Sequence, residues 1–84
     1  MKVISETWSI SLERIQNFLL LQGAEQKERD RFVLGRVEIV VKAAAPRKIG
    51  RFSIPGTLVE FRGEDSETDK LYHSFFLNFV SAGA

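Results

Sequence analysis

The sequence predicts an α+β fold. Two helices cover one face of a mostly antiparallel four-stranded sheet, a two-layer sandwich in the order β-α-β-β-β-α. Three observations carry this reading. Leu12, Ile15, Phe18 and Leu19 lie on one stripe at about 100° per residue, as in an amphipathic helix. Leu71, Tyr72, Phe75, Phe76, Phe79 and Val80 form a second, broader stripe of the same period. Between the two, residues Phe32 to Ala43 alternate with period two, and turn residues then divide the chain into further short extended runs.

Residues near Val3 to Ile10 form the first strand, favoured by Val3, Thr7, Trp8 and Ile10. Ser11 then caps a helix, with Ile10 and Ile15 placed as a hydrophobic staple and Gly23 as its stop. Ala24 to Arg31 is dense in charge and reads as a solvated connection. In the strand Phe32 to Ala43, Val33, Gly35, Val37, Ile39 and Val41 point one way. Leu34, Arg36, Glu38, Val40 and Lys42 point the other. Gly35 inside that run marks a bulge or a close helix approach. Ala44-Ala45-Pro46-Arg47 turns the chain into a strand from Lys48 to Ile54. Pro55-Gly56 supplies a type II turn into a last strand, Thr57 to Arg62. The three strands form a meander, and the first strand can join either of its edges. Gly63 reverses the chain, Ser66 caps the final helix with Asp69 three residues on, and Gly83 stops it.

Composition bounds the function. The chain of 84 residues is one domain, 1–84, with 44% hydrophobic residues to build its core. It has no Cys, which excludes disulfide staples, thiol catalysis and Cys-ligated metals. Phe18 to Leu21 is its longest apolar run, far below the roughly 20 residues of a membrane span. The first ten residues lack the apolar stretch of a signal peptide, so a cytoplasmic location without membrane attachment is expected. No cofactor is implied.

The formal net charge is +1, but it is unevenly spread. From Phe32 to Arg62 the balance is +4, and from Gly63 onward it is −3. Lys42, Arg47, Lys48 and Arg51 gather at the first hairpin of the meander with Phe52 beside them. That is a pattern able to grip phosphates of a nucleic acid or another anionic ligand and to stack on a base. Solvated hairpins also carry such charges as edge protection.

Catalytic sets are not legible. His73 is the only histidine, and Ser74 beside it faces away on a helix. No nucleophile, base and orienter fall together, so an enzyme is not expected. Asp65, Glu67 and Asp69 have the spacing that opens a calcium loop. Lys70 stands in place of the loop's Gly and Phe76 in place of its Glu. Negative charge at a helix N-terminus accounts for the three acids. With Glu64 they offer at most a weak divalent-cation site. Helix, three strands, helix is also the order of double-stranded RNA-binding domains. There the last helix opens on a basic run, and here it opens on Glu64 to Asp69. No family signature is legible.

Surplus apolar surface is the more unusual feature. Leu20 and Leu21 fall about 130° to either side of the first helix's apolar stripe. Leu77 falls off the Leu71, Phe75 and Phe79 side of the second. One sheet cannot cover every side of both helices. The expected function is therefore a non-enzymatic binding module, homo-oligomeric or bound to a protein partner, with Leu20, Leu21 and Leu77 at the interface. The alternative is nucleic-acid or phosphate-ligand binding through the hairpin Lys42–Arg51.

Overall fold

A computed structural model describes residues 1–82. The elements are β1 (Lys2–Trp8), α1 (Leu12–Leu21), β2 (Glu25–Glu28), β3 (Arg31–Leu34), β4 (Val37–Ile49), β5 (Phe52–Gly63) and α2 (Asp65–Ala82). The sheet has five strands, not four, in the order β1-β5-β4-β3-β2, and every neighbouring pair is antiparallel. The first strand joins the β5 edge. Gly83, expected to end the last helix, lies outside the described residues.

The fifth strand is the expected solvated connection. Glu25 to Glu28 is exposed throughout and pairs with β3 at the sheet's edge. An edge strand can be held by backbone pairing alone, so its side chains show no apolar alternation. The expected single strand Phe32–Ala43 is also two strands, folded at Gly35-Arg36. This resets the alternation. Phe32 faces the core opposite Ile39, whereas Val33 lies opposite Glu38 on the other face.

β4 and β5 form one long hairpin whose tip is Gly50-Arg51. The two places expected to turn, Ala44 to Arg47 and Pro55-Gly56, lie inside its arms. A register shift falls between Ala44 and Arg47, opposite Pro55. β1 pairs with β5 only as far as Thr57, and β3 pairs with β4 only as far as Val40. Beyond Ala44 and Gly56 the two arms have only each other, so both are edges there, and an edge or a bulge is where proline is tolerated. The β3–β4 and β4–β5 turns are each a Gly-Arg pair. Gly35 has φ +61° and Gly50 φ +60°, while among the described residues no other residue type has positive φ. Positive φ at the first turn residue alone is the type II′ pattern, and it matches the strands' right-handed twist.

α1 begins as expected. Ser11 accepts a hydrogen bond from the Arg14 N–H at 3.4 Å. At its other end Gly23 (φ +93°) donates to the Leu20 carbonyl at 3.1 Å, and Ala24 donates to Leu19 at 3.0 Å. This is a Schellman motif, and the two residues at its hydrophobic positions, Leu19 and Ala24, are both buried in the core cluster. α2 is capped by Glu64 rather than Ser66. The Glu64 carboxylate accepts from the N–H groups of Ser66 (3.1 Å) and Glu67 (2.8 Å).

Both helices lie on one face of the sheet, α1 over β4 and α2 over β1 and β5 alike. Between the layers sit Ile15, Phe18 and Leu19, the strand residues Phe32, Val37, Ile39, Val41, Val59 and Phe61, and Leu71, Phe75 and Phe79. Phe75 is the hub. Its ring centroid lies 4.7 Å from Phe79, 5.1 Å from Trp8, 5.4 Å from Phe61 and 5.6 Å from Phe18. Among the described residues no helix covers the opposite face of the sheet. It carries the ion pairs Arg31–Glu38 (3.3 Å), Arg31–Glu28 (3.2 Å) and Arg62–Glu60 (2.8 Å).

Candidate functional site

The helical step of about 100° places the three leucines at the border of the core or beyond it. The structure leaves them there: Leu20 is 47%, Leu21 84% and Leu77 48% exposed. They do not make one patch. Leu21 flanks a groove between the helices, lined also by Arg14, Asn17, Phe18, Asn78 and Phe79. The Arg14 guanidinium lies 5.9 Å from the centre of the Phe79 ring there. Leu20 leaves the opposite flank of α1. Leu77 is on the solvent side of α2, one turn from Val80.

Phe76 and Val80 correct the expected stripe of α2, since both are exposed to much the same degree as Leu77. The inward positions are Thr68, Leu71, Phe75 and Phe79. Phe76 instead hangs over the outer strand, edge-on to Trp8 at 5.9 Å. Nearby the Tyr72 hydroxyl donates to Glu6 at 2.7 Å, and Lys2 meets Asp69 at 2.6 Å. The carboxylate of Glu6 and partial burial push the Tyr72 phenol up to about 12, and Asp69 raises the pKa of Lys2. α2 is therefore fastened along β1, with an apolar flank open beyond that strand.

Lys42 is not brought together with Lys48 and Arg51 at the hairpin tip. Lys42 lies in the body of the sheet, 4.0 Å from Asp30. Arg47 pairs in register with Ile54 and Lys48 with Ser53, and Arg51 is in the turn itself. Among the described side chains neither Lys48 nor Arg51 has an ion-pair partner. Residues 43 to 59 hold three cations and no acid. Ile49 and Phe52, paired across the strands beside the tip, are 55% and 75% exposed. The apolar half of this tip was not expected from sequence. The two-residue Gly-Arg turn is the signal that places Ile49 opposite Phe52.

The acids before and within α2 serve the fold. Backbone N–H groups hold the Glu64 carboxyl below its ordinary range. Asp65 faces the N-terminal ammonium at 3.6 Å, and Asp69 is taken by Lys2. Among the described residues no cluster of three acids or histidines stands ready for a metal ion. His73 and Ser74 are exposed on α2. Ser74 borders a shallow cleft floored by Leu34, Val37 and Leu71, with Glu67 and Lys70 at its rim. No helix among the described residues is long and apolar enough to cross a membrane.

Residues 4–84 match the family of archaeal MoaD-like proteins. Members of this MoaD-like sulfur-carrier family are non-catalytic adaptor or carrier proteins. No curated protein matches the chain.

Proposed function

The chain belongs to the archaeal MoaD-like family, and from that premise we propose that it is a cytoplasmic interaction module, one domain over residues 1–84, that self-associates through the apolar surface of its helices. As a member of that family it is a small, non-enzymatic domain. The observation that carries the reading is the set of exposed side chains Leu20, Leu21 and Leu77, joined by Phe76 and Val80. Small domains without disulfides often gain stability by pairing, and Phe76, Leu77 and Val80 together leave one flank of α2 with exposed apolar surface of the kind that marks an interface. Sedimentation equilibrium tests it. A dimer at micromolar concentration is expected, and a strict monomer at high micromolar concentration removes the reading.

A second reading has its own observation. The hairpin arm joins two exposed apolar side chains to Arg47, Lys48 and Arg51 with no acid among residues 43–59. This suits phosphate contact with one ring free to stack on a base. Titration with single- and double-stranded DNA and RNA at low salt decides it. Affinity that falls steeply with added salt, and falls again in Lys48→Ala and Arg51→Ala, supports phosphate contact. Affinity indifferent to both excludes it.

A further inference from the structure

We propose that a second copy docks along the free edge of β1, joining the two sheets and setting α2 against its counterpart. The proposal rests on the self-association reading and names its seam. The two edges of the sheet differ. β2 has four residues, a register irregularity between Gln26 and Glu28, and charges at Glu25, Lys27 and Glu28, all devices that discourage a further strand. β1 has seven residues in unbroken register from Lys2–Gly63 to Trp8–Thr57, with no proline, glycine or bulge. Its outer N–H and C=O groups form a ready template.

The layer above fits the same neighbour. α2 rests over β1 and β5 alike, so its axis lies about half a strand spacing inside β1. A copy added at the usual strand spacing places the two α2 axes about 10 Å apart, which is helix-packing distance. Phe76 and Val80, exposed on the flank of α2 beyond β1, would then be covered.

Sequence selects the register. With Ile4 on the two-fold axis, Lys2 stands opposite Glu6 of the second copy, twice, and Val3 stands opposite its Ser5. Centring on Glu6 sets two like charges face to face, which is unfavourable. Centring on Ser5 sets Ile4 against Glu6.

The protein has no cysteine, so introduced thiols report without background. Val3→Cys and Ser5→Cys chains, both altered at exposed positions of β1, are mixed and oxidised mildly. The expected product is the mixed disulfide in excess over either homodisulfide. In parallel, Val3→Lys with Ser5→Lys, at positions free of the Lys2 and Glu6 contacts to α2, weakens dimerisation about tenfold or more, and Val3→Glu with Ser5→Lys keeps it. A dimer by sedimentation that gives no β1 cross-link, while Leu77→Cys cross-links to itself, overturns this seam and leaves helix-mediated self-association standing. A monomer at every concentration overturns both.

Discussion

The Tyr72 hydroxyl donates to a Glu6 carboxylate oxygen at 2.7 Å, tying α2 to β1 across 66 positions of sequence. Only the neutral phenol can make this bond, and its pKa is accordingly pushed up to about 12. The sign follows from linkage. The folded-state value lies above the ordinary value near 10. The bond's stabilisation is therefore complete below about pH 10 and is lost as pH rises through about 12. Tyr72 is the only tyrosine, so the phenolate absorbance titrates this group alone. Glu6→Gln should bring its midpoint back toward the ordinary value. An unchanged midpoint would contradict the contact.

Phe75 touches four other aromatic rings and is fully buried. Phe75→Ala should destabilise the fold by about 3–5 kcal/mol in urea unfolding. Phe75→Leu, which keeps more of the volume, should cost clearly less.

Two glycines should fail for different reasons. A β-carbon at Gly63 would strike the carbonyl oxygen of Arg36, in the turn just before β4, and backbone cannot step aside. Gly63→Ala is expected to cost about 1–3 kcal/mol or more through that clash. At Gly50 nothing lies near the added carbon, but φ is +60°. Gly50→Ala should cost about 1–2 kcal/mol through torsion alone. Thermal unfolding of the two variants measures both.

The Thr68 hydroxyl is buried without a hydrogen-bond partner. Removing a buried, unsatisfied polar group at constant shape is favourable. Thr68→Val should therefore raise stability, by about 1 kcal/mol in urea. A loss of stability would mean that the hydroxyl has a partner after all.

Phe52 and Ile49 are exposed at the hairpin tip and contribute nothing to the core. Phe52→Ser and Ile49→Ser should leave unfolding free energy within about 0.5 kcal/mol. If the tip binds, binding should weaken in the same variants.

Much of the fold was legible because periodic residues announce it. Ser11 and Gly23 bracket α1, and Ile39, Val41, Val59 and Phe61 face the helices as their alternation implies. The edge strand β2 was not legible, because its four polar side chains carry no pattern. The Gly35-Arg36 turn was hidden inside an apparently continuous strand, and missing it put Val33 on the wrong face. Pro46 and Pro55 imitated turns because the arm beyond the sheet body tolerates proline. Helix angles alone placed Leu20, Leu21 and Leu77 off the core. The exposure of Phe76 and Val80 depended on β1 being an outer strand, a matter of topology that side-chain spacing does not encode.

The arm from Ala44 to Gly56 reaches about 15 Å past the last three-stranded row of the sheet. An appendage whose strands answer only to each other can lengthen, shorten or exchange its end while the body keeps its packing. The exposed side chains at its end can therefore be exchanged with little consequence for the packed body.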